Sequence, residues 1–179
     1  ESGLRLLDLD AEREVAFVDT PGYAWDVVHD GRLAYVSDRQ GGLRVVDLDA
    51  EGGPSEVGQV LYGEADVLDV ALAGDLAWLC SGPSGLRSID VSDPTAPRPV
   101  GQLILEDRAI GMVLAGDRAY VAAAAAGLRL VDVADPKEPR ELGAVPVPGA
   151  AERLTIADGW IYVAAEMGGL LAIPESALP

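Results

Sequence analysis

The sequence predicts an all-β chain: a β-propeller of four-stranded antiparallel blades, with about four blade equivalents. Three observations predict it. The first is a repeat. "GLRLLDLD" at residue 3 returns as "GLRVVDLD" at 42, "GLRSIDVSD" at 85 and "GLRLVDVAD" at 127, then as "GLLAIPES" at 169 without its polar letters. The Gly-Leu pairs are 39, 43, 42 and 42 residues apart, and a period near forty points to blades. The second is the patterning inside each period, which is short, apolar and free of any sustained three-four helical spacing. The third is a two-residue turn signal in every period, "HDGR", "AGDL", "AGDR" and "ADGW", of the kind that closes tight hairpins.

Each period supplies four strands in order. The first strands, "AWDVVHDG", "DVLDVALAG", "AIGMVLAG" and "RLTIADG", are small and apolar, as suits a crowded strand beside a propeller axis. The second strands, "RLAYVSD", "DLAWLCS", "DRAYVAA" and "WIYVAAE", each carry an aromatic near the middle. The repeated octet is the third strand and the corner after it. Its glycine permits a tight entry, and the Asp residues of the corner (Asp10, Asp49, Asp93, Asp135) bond turn backbone, with a proline often following. The fourth strands, "EVAFVDT", "SEVGQVLY", "PVGQLIL" and "ELGAVPV", are weaker. Pro97, Pro99, Pro146 and Pro148 mark them as exposed outer edges, where a missing N–H costs little. Repeats fall near 3–41, 42–84, 85–126 and 127–168, with a degenerate partial copy at 169–179, all in one domain, 1–179.

The octet with its Asp-Pro corner, "GLRSIDVSDPTAPRPVG" and "GLRLVDVADPKEPRELG", resembles the LVIVD-repeat family, and the resemblance spans essentially the whole chain. The copies at 3 and 42 lack the Asp-Pro pair, and the fifth has Leu171 for Arg and Pro174 for Asp. The resemblance implies a propeller in an exported or surface-attached bacterial or archaeal protein: extracellular, cell-surface or periplasmic. It implies no defined catalytic residues, and the only cofactor the sequence leaves open is Ca²⁺.

Composition narrows the partners. With 30 acidic and 13 basic side chains the net charge is −17, a field that repels nucleic acid and anionic lipid. It suits cations or a basic partner surface. No apolar run is long enough to span a membrane, so direct membrane insertion is not expected. Cys80 is the only cysteine and reads as a buried, inert thiol in a strand. The chain opens on Glu1 without a methionine and reads as a processed, trimmed or partial product, with any signal peptide already removed.

The count of strands leaves a third-and-fourth pair (3–20) at one end and a first-and-second pair (150–165) at the other. They are expected to complete one blade between them, leaving "GLLAIPES" without a slot. Closure within one chain gives a four-bladed ring, closure between two chains an eight-bladed homo-oligomer, and a longer parent protein a larger ring. Few aromatics and abundant alanine favour the higher blade number.

Propeller ligands usually bind where the loops entering first strands meet the loops between second and third strands. Aligned on the hairpin glycines, that rim carries Tyr23, Trp25 and Asp26, then Asp66 and Asp69. Asp107, Arg108, Glu152 and Arg153 follow from the later copies. The second loops add Ser37, Asp38, Arg39 and Gln40, then Ser81, Ser84, Glu166 and Met167. Variation from blade to blade on a repeated scaffold suits a binding face, although solvated loops vary in the same way. Asp26 and Asp69 share a repeat position at which the later copies have Gly111 and Leu154. Two carboxylates are a thin start on the six to eight oxygens Ca²⁺ takes, and a structural role capping a turn is the favoured reading. His29 is the sole histidine, so no triad or histidine-rich metal site can be built. Two functions remain: a non-catalytic recognition, adhesion or assembly scaffold binding protein or glycan, and a metal-dependent hydrolase or lactonase centred on the channel.

Overall fold

A computed structural model describes residues 3–63 and 65–178, and it is all-β. The chain begins with a two-stranded unit, β1 (Gly3–Asp8) and β2 (Arg13–Asp19). Three complete four-stranded blades follow. Blade 1 is β3 (Asp26–His29), β4 (Leu33–Ser37), β5 (Leu43–Asp47) and β6 (Ser55–Val60). Blade 2 is β7 (Asp69–Ala73), β8 (Leu76–Cys80), β9 (Leu86–Asp90) and β10 (Arg98–Leu103). Blade 3 is β11 (Gly111–Ala115), β12 (Arg118–Ala122), β13 (Leu128–Asp132) and β14 (Arg140–Val145). The last blade has three strands, β15 (Ala151–Ala157), β16 (Trp160–Ala165) and β17 (Gly169–Pro174). Two short 3-10 turns, Glu166–Gly168 and Glu175–Ala177, are the only helical segments among the described residues.

One expectation is corrected here. "GLLAIPES" has a slot after all: β17 pairs with β16 from Trp160↔Pro174 to Ala165↔Gly169, so β1–β2 forms its own sheet.

The octet glycine serves two purposes. Gly42 and Gly85 have φ of +80° and +73°, and a Cβ on either would lie 2.1 Å from a fourth-strand carbonyl, of Val60 or Leu103. No side chain fits that conformation and that approach together. The octet arginine ties the third strand to what lies beyond it. Arg44 reaches Glu56 and Gln59 on β6. Arg129 reaches Glu141 on β14 and Glu106 after β10, at 2.9 and 2.5 Å. Arg87 lies over the Tyr62 ring, and Arg5 pairs with Glu14 on β2. Strand β17 has no fourth strand beside it among the described residues, and Leu171 stands where the arginine would be.

The octet's own aspartate makes the corner, not the later one expected in every copy. Asp8, Asp47, Asp90 and Asp132 each accept the N–H two residues on, at 3.0 Å. Only in the two Asp-Pro copies does a second aspartate, Asp93 or Asp135, cap the next turn as well.

That Asp-Pro corner seats on the preceding blade. Every fourth strand bulges opposite the fourth and fifth letters of the octet, beside Ala16, Gly58, Gly101 and Gly143. A Cβ on Gly58 would lie 2.0 Å from the Pro94 carbonyl, and one on Gly101 would lie 2.2 Å from that of Pro136. The copy that follows Ala16, at 42, is one that lacks the proline. Gly101→Ala should therefore destabilise the chain by about 2 kcal/mol through overpacking. A urea midpoint equal to that of the parent chain would show that the corner does not rest on β10.

Blades also join near the axis. The loop after each second strand forms an antiparallel bridge with the segment entering the next blade: Arg39↔Val67, Gly82↔Ala109 and Ala124↔Ala151. Four apolar clusters fill the gaps between successive units. Tyr35, Trp78 and Tyr120, the second-strand aromatics, are buried in three of them.

Candidate functional site

The strand pairing sets one rung across the four first strands. Asp26 faces Ser37, Asp69 faces Cys80, Gly111 faces Ala122 and Arg153 faces Ala164. The fourth member is thus Arg153, not Leu154. The last hairpin turns through Asp158-Gly159, at φ of +52° and +77°, so its glycine comes one residue later than in Gly116-Asp117. Alignment on the glycines therefore slipped by one.

The rung is a chain of inter-blade contacts. Asp26 Oδ2 accepts the Val70 N–H at 3.3 Å, and Asp69 Oδ2 accepts the Met112 N–H at 2.6 Å. Each carboxylate thereby clamps the first strand of the next blade. The third position is glycine because the backbone of the last blade passes close to it, and Arg153 reaches across: its Nη1 lies 3.6 Å from Asp69 Oδ2. A Cβ on Gly111 would sit 3.5 Å from Arg153 Cδ and 2.7 Å from the Glu152 carbonyl. Burial is the main reason the Asp69 carboxyl is pushed up to about 7, and its hydrogen bond to Asp26 adds to the rise. The Met112 N–H and Arg153 pull the other way. Beneath it the Cys80 thiol is fully buried and held well above its ordinary range, first by burial and then by the charge of Asp69.

Beside the rung, Trp25 is half exposed, with the Arg39 guanidinium 5.2 Å from its ring centre. Arg39 also pairs with Asp66 at 3.1 Å, and its backbone bridges to Val67. Tyr23, Arg108 and Glu152 are exposed. Trp25, Asp26, Arg39, Asp66, Asp69 and Arg153 are thus linked through blades 1, 2 and the last.

Asp38 does not belong with them. It is fully buried, accepting from Thr20 Oγ1 at 2.6 Å and Gly22 N at 2.8 Å, with Arg44 Nε at 3.6 Å. It fixes the connection from β2 into blade 1 and presents nothing to a ligand. The partners responsible, Thr20 and Gly22, are remote from it in sequence and gave no signal there.

Asp26 and Asp69 face N–H donors and a guanidinium. Among the described residues no group of three or more His, Cys, Asp or Glu could hold a metal ion. His29 is exposed at a hairpin, its Nδ1 accepting the Gly31 N–H at 3.2 Å.

No curated protein matches the sequence. Solved structures share the fold at low identity. The computationally designed Ika4 protein aligns with a TM-score of 0.68 at 9% identity, over 87% of this chain and 95% of its own. The designed Ika8 protein gives 0.63 at 7%, over 97% of this chain and 65% of its own. Apo AztD from Citrobacter koseri gives 0.61 at 18%; nearly all of this chain (99%) aligns, spanning half (50%) of AztD. The LVIVD repeat itself occurs three times, over residues 21–61, 64–103 and 108–146, which are the three complete blades. The chain belongs to the LVIVD repeat family.

Proposed function

We propose that the chain is a non-catalytic recognition or assembly scaffold whose rim around Trp25 binds protein or glycan. The observation that carries this reading is Trp25 itself. It is a large aromatic, 52% exposed, held beneath Arg39 on a rim where Arg39 pairs with Asp66 and Arg153 with Asp69. Exposed aromatics braced by arginine are the usual anchors of recognition surfaces. The net charge of −17 favours a partner with basic or neutral contact groups over nucleic acid. An exported or surface-attached location is part of the same proposal and rests on the family.

The rival reading, a channel hydrolase or lactonase using Ca²⁺ or another divalent ion, is less well supported. Arg153 already supplies positive charge beside Asp69, where such an ion would have to bind.

Printed glycans and a panel of candidate surface proteins provide the probes. Trp25→Ala should weaken any ligand found by about thirtyfold, about 2 kcal/mol. Lys137→Ala, on the opposite-face corner, should leave binding unchanged. Equal loss at both positions would remove the assignment of the face. A large thermal shift with Ca²⁺, reversed by EDTA, would favour the metal reading instead.

A further inference from the structure

The repeat supplies its own controls for what is incomplete at the two ends. Leu7 on β1 stands where Val46, Ile89 and Val131 stand in the complete blades. Those three are fully buried, whereas Leu7 is 61% exposed. Val27 on β3 stands where Val70 and Met112 stand; they are buried and it is 48% exposed. Tyr162 on β16 matches Tyr35, Trp78 and Tyr120, yet it is only partly buried. Ala24 matches Val67, Ala109 and Ala151, and it has none of their inter-blade bridges.

One event covers all four. If β1 and β2 pair with the side of the β15–β16 hairpin that β17 occupies, Tyr162 is carried over the first strand of blade 1. There it meets a cavity of about 160 Å³ lined by Leu4, Ala24, Trp25, Val27 and Val36. This is the place Tyr35 occupies against blade 2. The same pairing turns Leu7 toward Tyr120, Ala122 and Leu128 of blade 3, the equivalents of Trp78, Cys80 and Leu86 against which Val131 packs.

We propose that a second copy of this chain makes this pairing. The β1–β2 unit of each copy replaces β17 of the other, joining two copies of the 179-residue chain. The register follows from the complete blades: Tyr162 opposite Leu6, Ile161 opposite Leu7, and Ala164 opposite Leu4. Strand β17 is suited to be displaced. Leu170 is 73% exposed, no fourth strand covers it among the described residues, and the Glu175 carboxylate just past its end accepts one hydrogen bond, from the Tyr120 hydroxyl at 3.0 Å. The incoming pair brings the fourth strand and the Arg5–Glu14 bridge that β17 lacks.

A second copy is favoured over the chain's own first strands by two observations. The cavity is lined only by residues 3–36, and the exposed apolar face of the last blade only by residues 153–170, so neither surface contributes to the other. The inter-blade clusters are also rich in alanine (Ala77, Ala109, Ala119, Ala122, Ala151), which suits the narrow wedge of a ring with many blades. This inference does not rest on what the rim binds, although the two share Trp25, which lines the cavity that Tyr162 would enter.

The test is the mass and cross-linking of the 179-residue chain. Sedimentation should give twice 18.6 kDa. Mixed chains carrying Leu4→Cys or Ala164→Cys singly should form a disulfide-linked pair on oxidation, since facing strand positions lie within disulfide reach. Leu7→Asp changes a side chain exposed in the single chain, so it should halve the mass while leaving the circular dichroism intact. A monomeric mass at tens of micromolar would overturn the proposal. So would a disulfide formed inside one chain by the Leu4→Cys/Ala164→Cys double variant, or slow hydrogen exchange along 169–174 in a dimer.

Discussion

Trp78→Ala is expected to lower the unfolding free energy by about 4 kcal/mol, a large fraction of the roughly 5–15 kcal/mol of an ordinary domain. Trp78 lies mid-strand on β8, is 1% exposed, and packs in one cluster with Ala109, Met112, Ala119 and Val121 of blade 3. Its neighbours in blade 3 are mostly small. They have little side chain to swing into the space an indole leaves, so the cavity should persist and the cost should fall at the high end for such truncations. Urea unfolding measures it, with an unchanged slope expected if the denatured chain is unaffected. A loss below about 1 kcal/mol would mean that blades 2 and 3 are not held together through this ring.

The same residue shows what was legible in the sequence. An aromatic at the centre of each second strand, a glycine entering each third strand and a turn signal between first and second strands are all local patterns, and each folds as local chemistry dictates. What lay between blades was harder to read. That the Gly101 bulge receives the Pro136 carbonyl is a contact across 35 residues, and nothing in either segment names the other. Asp38 looked like a rim carboxylate because its partners Thr20 and Gly22 belong to the connection ahead of the blade. Arg153 was assigned to the rim by sequence, but its place on the rung with Asp69 depends on a hairpin whose glycine moved by one. The fifth octet's lost arginine had no evident reason until the structure showed that this arginine reaches the fourth-strand region, which β17 lacks.

The rung makes stability depend on pH in a direction opposite to that of most carboxylates. The Asp69 carboxyl titrates near 7 in the folded chain and near 4 when unfolded. Between those values the folded state holds a proton that the unfolded state has released. The associated stability is fully present below about pH 4 and is lost as pH rises through 7. Asp47, Asp90 and Asp93 act in the other sense. Hydrogen bonds from Arg32, Ser92 and Thr95 respectively hold them below the usual range, so their contribution is lost as pH falls below about 4. Together they place maximal stability near pH 4–5, with a decline toward pH 8. Asp69→Asn separates the two effects. The amide oxygen still accepts the Met112 N–H and its NH₂ can face Asp26, but nothing remains to deprotonate. The variant should therefore exceed the parent chain in stability at pH 8, match it near pH 4–5, and lose the decline between them. Thermal unfolding of both proteins across pH 4–8 measures this. A parent chain more stable at pH 8 than at pH 5, or a variant that retains the full decline, would show that the carboxyl beneath Arg153 is not where the proton is held.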